Sequence, residues 1–336
     1  MPARNKRVSG FLRLRRGLYD NGDVSVHVAG FVSLLGRPNA GKSTLLNALV
    51  GTKVAIVAAK PQTTRTTIQG VWNTEGAQVV FIDTPGIHQA DTKFNQRMMQ
   101  SIREALDQRD LLVYLHDAAR APGAADEAAV ALLKQARTPA LLALTKIDKL
   151  ARKDELLPII DWFRQHHEFE ECLPIAALTG EGLEDLRQAV LRRMPPGEPF
   201  FPADYYTDQP ERFIVAEIIR EKILTLTRQE VPHSVAVLID QWEETPRITN
   251  VAATIHVERP GQKAIVLGTR AERLKQIGAE ARLELESLLG RRLFLHLFVK
   301  VTPKWRENTA FLRELDWRAQ VGVETPLPAR DNDGEE

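Results

Sequence analysis

The chain predicts an α/β domain with a mostly parallel sheet and helices on both faces, followed by a smaller α+β domain. Three features carry this expectation. Short apolar runs alternate with stretches of helical periodicity from residue 29 to residue 194, the pattern of strand–helix–strand units. A glycine-containing turn sits between the first apolar run and the first helix. Pro195, Pro196, Pro199, Pro202 and Pro210 then crowd together before a second periodic region, which marks a linker.

Residues 29–35 read as a buried strand, and residues 42–50 as the helix after the turn. Two strands at 67–73 and 77–83 flank a turn at 74–76. The apolar runs 111–115, 140–144 and 172–175 are further strands, with helical patterns at 124–136, 154–166 and 183–193. Such sheets take ligands in crevices beyond the carboxyl ends of their strands. In the second region a helix is expected near 211–227, strands near 234–241 and 250–258, a helix near 272–288 and a strand at 293–301. Leu274, Ile277, Ala281, Leu285 and Leu288 give that last helix one apolar face, and Gly290 suits its stop. The expected divisions are an arm at 1–28, a first domain at 29–194, a linker at 195–210, a second domain at 211–318 and a tail at 319–336.

The 336 residues are 43% hydrophobic and 26% charged, as in soluble globular proteins. No apolar run approaches the ~20 residues that cross a bilayer. A net charge of +1 excludes a strongly polycationic binder, so any basic surface is local. Cys172 is the single cysteine; no internal disulfide can form, a reducing compartment is expected, and the thiol reads as a small buried hydrophobe. Arg4, Lys6, Arg7, Arg13, Arg15 and Arg16 precede the first acid, Asp20. A disordered basic arm, an over-long start and a targeting peptide are the readings of this segment. The Pro-, Asp-, Gly- and Glu-rich end reads as disordered.

The turn Gly36-Arg37-Pro38-Asn39-Ala40-Gly41-Lys42-Ser43, followed by Thr44, has the spacing G-x-x-x-x-G-K-[ST]. Glycines let successive N–H groups turn toward a polyphosphate at a helix N-terminus. Lys42 would reach the β- and γ-phosphates and Ser43 would ligate Mg²⁺. Asp83-Thr84-Pro85-Gly86 ends an apolar strand, where a carboxylate would hold Mg²⁺ and the Gly86 N–H would swing toward a γ-phosphate. Thr145-Lys146-Ile147-Asp148 ends a later strand. Asp148 can accept from guanine N1 and N2 while the Lys146 stem covers the ring; adenine offers no matching donors. Together the segments predict binding of GTP and GDP.

The succession GRPNAGKS, QTTR, DTPG and TKID resembles the translation-factor-related GTPases, and residues 29–318 resemble the Era family of ribosome-assembly GTPases. That resemblance implies that Ala176 and Ala177 contact guanine O6 through their backbone. It implies that Gln62-Thr63-Thr64-Arg65 is a switch whose Thr64, or less surely Thr63, closes on Mg²⁺. Thr145 stands where the family usually has Asn, and Ala176 where it usually has Ser, so looser nucleotide binding with retained guanine preference is expected. Ile87 follows Gly86 and cannot orient water as a Gln would, so slow unassisted hydrolysis is expected. His88 has two readings, a water-positioning group or an ordinary exposed histidine. Asn39 also has two: by resemblance to potassium-activated relatives it would help hold K⁺ beside the phosphates, or it would only shape the turn.

Val266, Leu267, Gly268-Thr269-Arg270-Ala271, Leu274 and Ile277 resemble the signature of a type II KH domain, whose GXXG loop clamps about four nucleotides. Ala271 departs from that pattern. Arg270, Arg273, Lys275 and Lys263 surround the loop with positive charge, although residues 211–320 hold 18 Lys and Arg against 15 Asp and Glu, a modest excess. The Era-like arrangement implies a monomeric, cytoplasmic protein that binds the 3′ end of 16S rRNA during 30S maturation, with peripheral association at the inner membrane. Two rival readings remain: a passive RNA platform with a weak G domain, and a GTPase whose KH domain contacts protein.

Overall fold

The computed structural model describes residues 27–58, 60, 63–87, 92–106, 109–227, 231 and 234–317. The basic arm, Gln62, His88 and the acidic tail, all singled out above, lie outside the described residues.

The first unit runs β1 (Val28–Gly36), α1 (Lys42–Val50), β2 (Ile68–Thr74), β3 (Ala77–Asp83), α2 (Lys93–Leu106), β4 (Leu111–Asp117), α3 (Ala124–Ala136), β5 (Ala140–Thr145), α4 (Leu156–His166), β6 (Cys172–Pro174) and α5 (Leu183–Leu191). Its sheet has the order β2-β3-β1-β4-β5-β6, parallel except for β2 on β3. Because β1 has β3 on one side and β4 on the other, its carboxyl end is where the winding reverses and a ligand crevice opens. Both faces of the sheet are covered. Leu34, Val113 and Phe81 face Leu45, Leu49 and Leu186, while Leu35, Leu112 and Tyr114 face Ile102, Val130 and Phe163. Two covered faces explain why β1 and β4 read as unbroken apolar runs.

The second unit runs α6 (Glu211–Leu226), β7 (Ala236–Glu244), β8 (Thr249–Val257), α7 (Pro260–Leu267), α8 (Glu272–Leu289), β9 (Leu293–Val301) and α9 (Thr309–Leu315). Its sheet, β7-β8-β9, pairs β7 antiparallel and β9 parallel to β8. Helices α6 and α8 cover one face, burying Ile219, Ile223, Ile277, Ala281 and Leu285 against Val251, Ala253 and Ile255; each buried Ile, Leu or Val side chain contributes roughly 1.5–3 kcal/mol. Gly290 ends α8 at φ 66°, as its position predicted.

Helices α2, α7 and α9 go beyond the elements read from the sequence. Only Phe94, Asn95, Met98, Ile102, Ala105 and Leu106 of α2 are buried, a narrow stripe in a polar segment. Helices α7 and α9 are short, 8 and 7 residues. Cys172 is half-buried, not fully enclosed, because β6 is an edge strand, and burial pushes its thiol up to about 11. The Pro-rich segment read as a linker lies along β2 and β3 as a strap. Pro196 and Thr207 bridge to Val28 and Gly70, and the Gln78 amide donates to the Phe201 carbonyl at 2.8 Å while accepting its N–H at 2.9 Å. Proline favours this extended backbone.

Candidate nucleotide site and GXXG loop

Residues 36–43 wrap the end of β1 into α1. Gly36 has φ 154°, and a Cβ there would lie 2.5 Å from the Leu115 carbonyl oxygen; Gly41 has φ 95° and Asn39 φ 64°. The first intrahelical bond runs from the Leu45 N–H to the Gly41 carbonyl. The Gly41 cap position supplies no side-chain bond and the first turn holds no acid. The amides of α1's first turn are thus open to an anion.

Lys42 is buried, and its ammonium donates to the carbonyls of Gly36 at 3.1 Å and Arg37 at 3.0 Å. Burial pushes its pKa down to about 8, against the opposing charge of Asp83. A polyphosphate beside it would restore the charged form. Nucleotide binding at pH 8 is therefore expected to take up about half a proton, falling to none near pH 6. Calorimetry in two buffers of different ionisation enthalpy measures this directly.

Three oxygens converge beside the loop. Asp83 Oδ2 accepts from Ser43 Oγ at 2.6 Å and Thr64 Oγ1 at 2.9 Å, and the two hydroxyls are 2.7 Å apart. Asp83 is fully buried, and its Oδ1 has no hydrogen-bond partner. Burial raises its pKa, with Lys42 and the bonds from Ser43 and Thr64 working the other way. A buried carboxylate with one free oxygen and two hydroxyls fits a hard divalent cation such as Mg²⁺. Among the described residues no group of three or more His, Cys, Asp or Glu could hold a metal ion; Mg²⁺ at phosphate sites takes one or two carboxylates with substrate phosphates and water. Thr84 donates to the Leu34 carbonyl at 2.8 Å, and the Ile87 N–H to the Gly36 carbonyl at 3.2 Å. Gly86 presses on Pro38, where a Cβ would meet backbone at 2.7 Å. Gly86 therefore brings bare main chain against the loop. Thr44, in α1's first turn, is half-buried.

The base loops join the same crevice. Thr145 Oγ1 reaches the Ala40 carbonyl at 2.7 Å and that of His116 at 3.1 Å. Its hydroxyl thus ties the base loop to the phosphate loop. Lys146 donates to the Asn39 carbonyl at 2.5 Å and to Asp117 at 2.7 Å, and Asp148 is exposed. The expectation that both alanines keep a usable N–H needs correction. The Ala176 N–H is committed to the Glu181 carbonyl at 2.9 Å, since that bridge closes the loop, which leaves the Ala177 N–H for a ligand.

Asp117 and Asp126 escaped the sequence reading. Asp117 is legible as a carboxylate ending β4 beside the base loop. Asp126, in the first turn of α3, is buried and has no such signal. It accepts from Tyr114 at 2.8 Å, pairs with His116 at 3.0 Å and binds Arg37 of the phosphate loop at 3.2 Å. Burial alone would raise its pKa, but the bonds from His116 and Tyr114 outweigh it and hold the carboxyl low.

In the second unit, Gly268 follows α7 at φ 67°, where a Cβ would lie 2.8 Å from that of Arg273. Thr269, Arg270 and Lys275 are exposed, Lys263 is half-buried, and Arg273 is turned inward, donating to the Ile265 carbonyl. Ala271 has φ 61°, the left-handed conformation that costs a side-chain-bearing residue ~1–2 kcal/mol. Ala271→Gly is expected to stabilise the protein by about 0.5–1 kcal/mol after glycine's own entropic cost, read from denaturant midpoints.

A phosphate loop at the switch point of a mostly parallel sheet, joined to a three-stranded unit with a GXXG-type loop, defines a P-loop GTPase with a KH domain; the family models for the 50S ribosome-binding GTPase and for the KH domain match residues 31–146 and 230–306. The chain is 47% identical over 290 residues to GTPase Era of Geotalea uraniireducens, covering 86% of this chain and 97% of that one, and 46% identical to GTPase Era of Lactobacillus delbrueckii, covering 88% and 98%. The chain belongs to the Era family of GTPases. Among solved structures, Era in complex with MgGDPNP and nucleotides 1506–1542 of 16S ribosomal RNA matches with a TM-score of 0.84 at 39% identity, covering 87% of this chain and 99% of that one. An Aquifex aeolicus Era variant bound to GDP·AlF4⁻ matches equally well, at 0.84 and 39%, covering 86% and 99%.

Proposed function

We propose that this GTPase is a molecular switch that binds the 3′ end of 16S ribosomal RNA and assists assembly of the 30S subunit in the cytoplasm, acting as a monomer. The observation that carries the switch chemistry is the meeting of Ser43, Thr64 and Asp83 beside an uncapped helix N-terminus. A solved Era holds both MgGDPNP and a 16S rRNA fragment, which supports the coupling of nucleotide and RNA.

When bound, Mg²⁺ held by Ser43, Thr64 and Asp83 would neutralise charge on the phosphate oxygens. The residues themselves do the rest. Lys42 exchanges its carbonyl partners for β- and γ-phosphate oxygens, and the open amides of α1 hold the phosphate chain in place. Lys146 and Thr145 fix the base loop against the phosphate loop, and Asp148 accepts from guanine. Gly86 offers its N–H to the γ-phosphate, so hydrolysis releases that contact. Ile87 supplies no polar group for the attacking water, and unassisted turnover is expected on the order of 10⁻⁴–10⁻³ s⁻¹. Asn39, at φ 64° in the phosphate loop, would help hold K⁺ beside the phosphates. Thr269, Arg270, Lys275 and Lys263 present the RNA-facing surface, with Arg273 shaping the loop. Ala271 keeps the glycine-like geometry, which favours a nucleic-acid clamp over a protein contact. No helix among the described residues is long and apolar enough to cross a membrane; peripheral association would rest on the basic arm.

The test measures Mg²⁺-dependent turnover of GTP and ATP in KCl and NaCl, with and without a 16S 3′-end oligonucleotide. A saturable preference for GTP, potassium stimulation lost in Asn39→Ala, and RNA affinity reduced in Arg270→Ala are expected. Equal handling of GTP and ATP overturns the switch, and RNA binding unaffected by Arg270→Ala overturns the clamp.

A further inference from the structure

The segment that carries Thr64 is held from the far side by the second unit. Ile56 is 3% exposed and packs in the core formed by α6, α8 and the second sheet. The Val57 N–H donates to Glu221 of α6 at 2.7 Å. Arg220, the preceding residue on the same helix and 1% exposed, donates to the Thr63 carbonyl, and its guanidinium is squared by Glu217 at 2.6 and 2.7 Å. On the other flank Arg65 donates to the Val235 carbonyl at 2.6 Å and lies over the rings of Phe94 and Trp305 at 5.3 and 5.7 Å. Thr64 is thus bracketed by grips on residues 63 and 65, both made by the KH-bearing unit.

From this geometry we propose that Arg220 is a positioning residue for the GTP-bound state: it holds the Thr63 carbonyl so that the Thr64 hydroxyl meets Ser43 and Asp83. The physical case is one of ordering. A loop residue left free loses backbone freedom when a ligand fixes it. A buried guanidinium already paired with Glu217 fixes the neighbouring peptide before the nucleotide arrives. Only a ligand that engages Thr64 gains from this, which means a nucleotide with its γ-phosphate and metal. GDP, held by the phosphate loop and base loops, does not. Linkage makes the effect reciprocal: whatever shifts α6 weakens the hold on the γ-phosphate state, and that state strengthens the docking of α6.

The proposal rests on the reading of Thr64 as a contact of the metal-bound state, so Thr64→Ala is measured alongside. In the full chain, Arg220→Met is expected to leave GDP affinity within twofold. It is expected to weaken a non-hydrolysable GTP analogue with Mg²⁺ about tenfold and slow turnover about tenfold, with Arg220→Lys recovering most of both. Combined with Thr64→Ala, Arg220→Met should add little further loss, because both act through one contact. Should Arg220→Met fail to fold, Glu221→Gln is expected to show the same split between GDP and the analogue at smaller size. Equal loss for GDP and the analogue, no loss for either, or effects that multiply with those of Thr64→Ala overturn the proposal. An analogue affinity unchanged in Thr64→Ala itself removes the reading of Thr64 first and this proposal with it.

Discussion

Asp148→Asn is expected to lower the affinity for guanosine nucleotides about 10³–10⁴-fold and to create a preference for xanthosine nucleotides. Asp148 is exposed at the end of the Thr145–Lys146 loop, and its carboxylate is an acceptor only. Guanine presents donors at N1 and N2. Xanthine carries a carbonyl in place of the N2 amine, which leaves a carboxylate facing an acceptor. An amide meets that carbonyl with its own N–H. Sites that pair polar groups in this way reject mismatches by up to ~10⁴–10⁵, and a mismatch leaves partners unbonded on both sides. Competition of labelled GDP by GTP, xanthosine triphosphate and ATP measures the change. The Lys146 brace to Asp117 and Asn39 is untouched, so the fold and the phosphate site should be unaffected.

Lys42→Ala is expected to lower GTP turnover about 10²–10³-fold, equivalent to ~3–4 kcal/mol of transition-state stabilisation, without unfolding the protein. The second half of this expectation follows from burial. The ammonium sits among carbonyls with its pKa lowered to about 8, so at neutral pH the unliganded fold carries a charge it would hold more cheaply when unfolded. Between pH 8 and the ordinary lysine value of 10.5, the unfolded chain binds more protons than the folded one. Wild-type stability without nucleotide therefore rises across that window, and Lys42→Ala should lack the rise. Urea midpoints at pH 7 and pH 9 for both proteins separate this from a general loss of structure. A variant that unfolds early at pH 7 would refute the buried-charge account.

Much of the first unit was legible because its strands are covered on both faces and its turns carry chemistry. The apolar runs of β1, β4 and β5 mark themselves, and Gly36, Gly41 and Asp83 sit where backbone geometry and charge require them. Asp148 and Thr145 were legible from the order of the segments. Helix α2 was not, since half of its surface is polar and its buried face is shared with the second unit through Phe94 and Met98. The hold on Thr64 was invisible for a related reason. Arg220 looks like any charge on an amphipathic helix, and only the packing of α6 brings it to a carbonyl 157 residues away. The commitment of the Ala176 N–H likewise depends on a bridge that spacing does not announce.

The proline-rich strap also closes a border. Strand β2 is the outermost strand of its sheet on that side, and an uncovered outer strand invites pairing with another molecule. The Val71 N–H donates to the Tyr206 carbonyl at 2.9 Å, the Asn73 amide to the Tyr205 carbonyl at 3.1 Å, and Thr207 to the Gln69 carbonyl at 2.7 Å. The chain thereby seals its own rim against strand-by-strand growth. The same seam ties the lead-in to α6 to the strand that follows Thr64, so displacing α6 would tug on the nucleotide crevice along the backbone itself.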